Sequence, residues 1–458
     1  MGLSATDSYY YSGVMSHGFH INIIVSIYRQ ENGAVHMADF SRPRGTRDFG
    51  PEDMFRRRTI ESRMRKAIES FGYDEISTPT FEHSDLFIAR SGPQILEQIY
   101  NFQDKGGRQI VLRPELTAPV MRFYFSDLRN TPKPLRIYYF GNCFRYERPQ
   151  KGRYREFWQL GLEYIGKRTP LALSEVINAA VSALDAAGLE DFIIRIGHVT
   201  LLSSILSRWK VDMSDRDLMI AIDKKDRNRI VELLGESDKA DKVATLVSRT
   251  YDLGQTDEAL QNIREDMPDI DEGALNELSD VLKLTDPGSG KVLFDPSITR
   301  GLDYYDGVVF EIDAPSLDAE KQICGGGAYS LSEVFGGDVE GIGFGLGFDR
   351  ILVALGNKDP GVDRLKTFYL MPLGENAKTR IAGIANAVRM AGYRCVLETS
   401  DRTFKKALSS ALQSGADYLM ILGDDEIEKG TITIKNLATK EQTQIELVDV
   451  GSLDLNDL

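Results

Sequence analysis

Gly141–Glu163 reads GNCFRYERPQKGRYREFWQLGLE, and this stretch decides how the rest of the chain is read. Leu135 to Tyr146 is rich in β-branched and aromatic residues, Pro149-Gln150-Lys151-Gly152 is turn chemistry, and Tyr154 to Ile165 resumes an extended pattern. Alternate residues of a strand share a face. Arg145 and Glu147 therefore point one way on the first arm, and Phe157, Gln159, Gly161 and Glu163 point one way on the second. Where the two faces coincide, one sheet surface carries a guanidinium, a carboxamide and a carboxylate around a small floor at Gly161. Such a set suits a phosphate at one end and a cationic or hydrogen-bonding ligand at the other. An ordinary hairpin with a solvated charged face is the plainer reading. Against it, Phe144, Tyr146, Tyr154, Phe157 and Trp158 call for burial on at least one side, and the polar positions are not a Lys/Glu mixture.

The run FRYERPQKGRYREFWQLGLE resembles motif 2 of the class II aminoacyl-tRNA synthetases, in the form found in the histidyl-tRNA synthetase family. Three further stretches extend the resemblance. Ile110 to Arg122 (IVLRPELTAPVMR) reads as a strand, Pro114, then a helix start. Glu115 and Thr117 sit there among free helix amides, where the bland reading is an N-terminal cap. The RPE-x-T peptide is similar to the family's loop that grips the amino acid. DPSITRGLDYYDGVVFEI, within Leu293 to Ile312, contains RGLDYY, the peptide most particular to the histidyl enzymes. Two tyrosines packing at a turn would explain the pair but not Arg300. Gly341 to Leu355 (GIGFGLGFDRILVAL) resembles motif 3, with Asp349 where Glu is more usual.

That last stretch is not a dinucleotide fingerprint, because its glycines fall at every second position. On a strand, Gly341, Gly343, Gly345 and Gly347 present one bare face, on which a flat purine could lie, while Ile342, Phe344, Leu346 and Phe348 are buried on the other. Arg350 then opens a helix, where a cation opposes the dipole and an anionic ligand offsets it. Cys324 to Gly337 (CGGGAYSLSEVFGG) is read as following a strand, its glycines exposing backbone to a ligand. The family pattern has an arginine after those glycines, and this chain has Ala328, with Tyr329 retained.

Outside the motifs, Pro51 to Phe71 has helical spacing with Pro at its start and Gly72 at its end. Tyr73 to Phe81 reads as a strand, and the pair resembles motif 1. Ser174 to Gly188 is expected as a helix and Asp191 to Gly197 as a strand. Val199 to Ser289 turns helical and acidic, like an insertion packed on the outside. After a break at Asn357 to Asp363, Thr367–Leu373, Asn376–Ala391, Tyr393–Glu398, Phe404–Gly415 and Asp417–Gly423 alternate as βαβαβ. The hairpin Thr431–Asn436 to Gln442–Val448 closes this unit, which resembles the anticodon-binding domain of class IIa synthetases.

Composition sets outer bounds. With 458 residues, 42% of them hydrophobic, the chain makes more than one domain. A formal net charge of −14 argues against a protein that coats nucleic acid. A local basic patch still allows RNA binding, and Arg42 to Lys66 and Arg136 to Arg168 are basic while Asp252 to Asp286 is acidic. Three scattered cysteines, with no C-x-x-C and no H-E-x-x-H, offer neither a disulfide framework nor a zinc site, and the thiols fit a reducing cytoplasm. Residues 1 to 36 read as a disordered extension ahead of Met37. Phe19 to Tyr28 is apolar but too short to span a membrane, and only Asp7 is charged before it, unlike a signal peptide.

The resemblance implies an α+β fold: an antiparallel-sheet catalytic domain (37–198 and 290–358) with a helical insertion (199–289) and a C-terminal α/β anticodon-binding domain (365–458). It implies a histidine pocket of Glu115, Leu116, Thr117, Gln159, Glu163, Tyr304, Tyr305 and Tyr329. ATP contacts fall to Arg145, Glu147, Arg153, Arg300, Gly347 and Arg350, with Arg145 and Arg300 catalytic. It further implies a cytoplasmic homodimer that uses L-histidine, ATP and tRNA(His), with no membrane association. Magnesium is expected to arrive with ATP rather than in a dedicated cage. Two competitors stay open: a non-catalytic regulatory subunit of histidine biosynthesis, and a class II synthetase for another amino acid such as proline or threonine.

Overall fold

The computed structural model describes residues 9–14, 20–25, 41–146, 152–266, 270–298, 305–317, 321–330, 339–358, 361, 364–400 and 402–452. The chain divides into two compact units, Met1–Lys358 and Asp359–Leu458.

In the first unit the motif 2 stretch forms the antiparallel strands Leu135–Phe144 and Glu156–Ile165, in unbroken register from Leu135 opposite Ile165 to Phe144 opposite Glu156. They belong to a nine-stranded sheet. Its order is Tyr251–Asp252, Lys291–Phe294, Ile193–His198, Tyr305–Asp313, Gln322–Ser330, Glu340–Gly347, Glu156–Ile165, Leu135–Phe144 and Asp74–Glu75. All neighbours are antiparallel except Lys291–Phe294 with Ile193–His198, and Asp74–Glu75 with Leu135–Phe144. The expected antiparallel catalytic sheet is therefore present, in an α+β setting.

Strand alternation sorts the side chains. Leu160 and Leu162 turn to one face, where Ile60, Met64 and Ile68 of helix Pro51–Ser70 and Val176, Ile177, Ala180 and Leu184 of helix Pro170–Ala187 bury them. Thr169 caps the latter helix by accepting from Ala172 N, so it starts four residues before the expected Ser174. Covering one face this way leaves the other to a site.

Four expectations change. The strand predicted for Tyr73 to Phe81 pairs with the sheet only at Asp74–Glu75, and Phe81–His83 joins a separate three-stranded sheet with Gln109–Leu112 and Asn101–Gln103. The glycines of CGGGAY do not follow a strand: they lie inside Gln322–Ser330, paired on both sides. The helical stretch after Val199 is only half an outside insertion. Leu202, Leu206, Leu218, Ile222, Ile230, Val243 and Val247 form a core of their own, but Leu260, Leu275, Leu278 and Val281 pack into the main one. Within the stretch read as disordered, Tyr9–Val14 and His20–Val25 pair as a two-stranded sheet.

The second unit has sheet order Arg394–Leu397, Thr367–Leu373, Tyr418–Gly423, Thr431–Asn436 and Gln442–Glu446, parallel in its first three strands and antiparallel in its last. Helix Asp424–Lys429, which the sequence reading missed, fills the crossing into the hairpin. Among the described residues, no helix is long and apolar enough to cross a membrane.

Candidate active site

The uncovered sheet face floors a cavity of about 420 Å³. Of the expected residues, Glu115, Thr117, Arg145, Arg153, Gln159, Glu163, Tyr305, Tyr329, Gly347 and Arg350 line it. Leu116 does not. It is 2% exposed and packs with Val120, Met121 and Tyr124, because the turn into helix Thr117–Phe123 gives the cavity side to its neighbours at 115 and 117. Glu147, Arg300, Tyr304 and most of the motif 2 turn lie outside the described residues.

Glu163 is the buried centre of the site, 1% exposed. Tyr139 Oη donates to its Oε1 at 3.1 Å, and Tyr329 Oη donates to its Oε2 at 2.6 Å. Burial pushes the Glu163 carboxyl up to about 7, even though the hydrogen bonds from Tyr329, Tyr139 and Thr117 act in the opposite direction. Burial, with the Glu163 charge second, likewise holds the Tyr139 and Tyr329 hydroxyls well above their ordinary range. Tyr139 was missed in the sequence, although it shares the strand face that Arg145 continues.

The alternating glycines make room for these groups. A Cβ at Gly343 would lie 1.9 Å from Glu163 Oε2, and one at Gly341 would lie 2.4 Å from the Tyr329 ring. The expected bare strand face is thus already filled at those two positions, and Tyr139 occupies the space over the supposed floor at Gly161. At Gly345 and Gly347 the nearest atoms to an added Cβ are 3.8 and 3.6 Å away, so only that end accepts something flat.

Glu115 caps a helix and lines the cavity. Its Oε2 accepts from Thr117 N at 2.7 Å and its Oε1 from Ala118 N at 3.0 Å, capping the helix while its carboxylate borders the cavity. Arg145 Nε donates to Pro114 O at 3.0 Å, which fixes the guanidinium on the cavity wall, 5.1 Å from the Phe157 ring centre. Arg350 Nη1 donates to Gln322 O at 2.6 Å. Ala328 is 1% exposed and belongs to the core behind the sheet, opposite in direction to Tyr329. The charge absent at 328 is therefore not missing from the cavity.

A second buried centre, unforeseen in the sequence, braces the arginine end. Asp349 Oδ1 accepts from Arg57 Nη1 at 2.7 Å and pairs with Arg47 Nη2 at 2.8 Å, and its Oδ2 accepts from Trp158 N at 2.7 Å. The cations also lie over aromatic faces: Arg47 is 3.3 Å from the Tyr154 ring centre, and Arg57 is 4.2 Å from that of Phe49. One carboxylate thus ties helix Pro51–Ser70, strand Glu156–Ile165 and helix Phe348–Ala354 together beside Arg350.

Residues 45–351 match the family model described as histidyl-tRNA synthetase, and residues 367–453 match an anticodon binding domain. A histidine–tRNA ligase of Archaeoglobus fulgidus is 45% identical over 417 residues, which cover 90% of this chain and 98% of that protein. The chain belongs to the histidyl-tRNA synthetase family. Solved members share its fold. The apo Staphylococcus aureus histidyl-tRNA synthetase superposes with a TM-score of 0.68 at 28% identity, covering 90% of this chain and 99% of that one. A Bacillus halodurans protein, described as an ATP phosphoribosyltransferase regulatory subunit/histidyl-tRNA synthetase, gives 0.71 at 27% identity over 85% and 99%. In this histidyl-tRNA synthetase family member, one cavity carries the buried carboxylate of Glu163 together with Arg145, Arg153 and Arg350.

Proposed function

We propose that this chain attaches L-histidine to tRNA(His) in two steps on one site. Histidine and ATP first form histidyl-adenylate and pyrophosphate, and the histidyl group then passes to the terminal ribose of the tRNA with release of AMP. The observation that carries the proposal is Glu163, a buried acceptor held by two tyrosines in a cavity that also presents Arg145 and Arg350. An imidazole N–H satisfies that acceptor, whereas an apolar side chain would strand it. Glu115 and Thr117 receive the amino group, Gln159, Tyr305 and Tyr329 complete the pocket, and Arg145 and Arg153 meet the α-phosphate region. Arg350 takes the outer phosphates and Gly347 lies under the purine. Arg300, Tyr304 and Glu147 keep the roles that the resemblance implies.

The first step is attack by the histidine carboxylate oxygen on the α-phosphorus, with the pyrophosphate oxygen leaving. Two anions must be brought together, so positioning and charge stabilisation are what the protein supplies. Among the described residues, no three His, Cys, Asp or Glu side chains converge on a metal site. In this reading magnesium arrives with the ATP substrate. The C-terminal unit receives the tRNA, and the enzyme works as a cytoplasmic homodimer.

The test is amino-acid-dependent pyrophosphate exchange with each of the twenty amino acids. Exchange with histidine alone is the expected result. Exchange with proline or threonine would indicate another class II specificity, and histidine binding without exchange would indicate a regulatory role.

A further inference from the structure

Helix Arg216–Asp223 ends in a turn that brings Lys225, with φ of 55°, back toward the catalytic sheet. Lys225 Nζ donates to Asp295 Oδ2 at 2.8 Å, and Arg195 Nη1 donates to the same oxygen at 3.1 Å. Arg195 also donates through Nη2 to Glu311 Oε2 at 2.5 Å and through Nε to Asp313 Oδ2 at 3.0 Å. Gln322 Nε2 donates to Glu311 Oε1 at 2.9 Å, and the Gln322 carbonyl is the oxygen that holds Arg350. Glu311, Gln322 and Arg350 all line the cavity, and Lys225 does not.

We infer that Lys225 is a remote positioning residue for the polyphosphate end of the site, acting through Asp295, Arg195 and Glu311. Asp295 is fully buried and Glu311 is 5% exposed, so neither carboxylate can turn to water for compensation. One guanidinium faces three carboxylates, and Lys225 supplies the second positive charge. Without it, Asp295 draws more heavily on Arg195, whose hold on Glu311 slackens. Glu311 and Gln322 then no longer fix the backbone that orients Arg350. The Lys225 side chain is 27% exposed, so its removal need not disturb the main core.

The inference rests on the proposed use of ATP at this cavity. The experiment is histidine-dependent pyrophosphate exchange by the full-length parent, Lys225→Met, Lys225→Arg, Glu311→Gln and the Lys225→Met/Glu311→Gln double variant. Lys225→Met is expected to raise the ATP KM about three- to tenfold, the range of remote coupling, with histidine KM within about twofold. Lys225→Arg should restore the parent value. In the Glu311→Gln background the Met substitution should add little, since the coupling runs through that carboxylate. Equal shifts in both KM values, an unchanged ATP KM, or full additivity with Glu311→Gln would each overturn the inference. Absence of exchange in the parent would instead overturn the functional reading beneath it.

Discussion

Gly343 and Glu163 face each other across neighbouring strands so closely that a Cβ on the glycine would stand 1.9 Å from Glu163 Oε2. The glycine is therefore part of the carboxylate's seat. The displaced atom belongs to a carboxylate already held by Tyr139 and Tyr329, so it cannot move without breaking one of those bonds. Gly343→Ala is expected to cost about 1–3 kcal/mol through overpacking and to raise histidine KM more than ATP KM. Pyrophosphate exchange and a melting curve on the same preparation check both. A variant with parent-like histidine KM would show that Glu163 is not what the glycine accommodates.

Glu163→Gln keeps the shape and removes the charge. A hydrogen bond to a charged group is worth about 1.5–3 kcal/mol, so histidine KM should rise about ten- to hundredfold while ATP KM changes little. Equal changes in the two constants would remove Glu163 from the histidine pocket.

The same residue makes a pH prediction. Its carboxyl titrates at about 7 in the folded protein, above the ordinary value of 4.5. Above pH 7 the group is charged in both folded and unfolded chains and the burial penalty is present in full. Below 4.5 it is neutral in both and the penalty is absent. Stability should therefore rise as pH falls from about 7 to 4.5, by an amount on the order of 3 kcal/mol, and Glu163→Gln should flatten that part of the profile. Denaturant unfolding of parent and variant across this window provides the comparison, and superimposable profiles would refute the assignment.

Asp349→Asn leaves Arg57 and Arg47 without their buried counter-charge. Removing one partner of such a pair costs about 3–5 kcal/mol. The unfolding midpoint should fall accordingly, and ATP KM should rise because the helix carrying Arg350 loses its brace. Asp349→Glu, which retains the charge, should lose less. A variant Asn protein as stable as the parent would show that the clamp carries no such weight.

Much of the site was legible because strand periodicity is local. Gln159 and Glu163 had to share a face of their strand, Arg145 and Glu147 a face of theirs, and the glycine alternation of 341–347 had to leave one side of a strand without side chains. None of these statements needs a neighbour. Glu115 was legible as a cap because the free amides at one helix start call for an acceptor; its place on the cavity wall came from the resemblance and not from those amides.

The sequence by itself determined the two strands of the 135–165 hairpin, the strand at 341–347 and the faces of each, since these depend on residues within a few positions of one another. Only the tertiary structure decided what lies against those faces. It placed Tyr329 and Glu163 in the space the glycines vacate, sent Leu116 into the core, and brought Arg57 to Asp349 across 292 positions of chain. It also raised Glu163 to about 7, because a carboxyl responds to whatever removes its water. Backbone periodicity says which way a side chain points. Which strand or helix packs there, and how dry the space between them becomes, is settled only when distant segments close on one another.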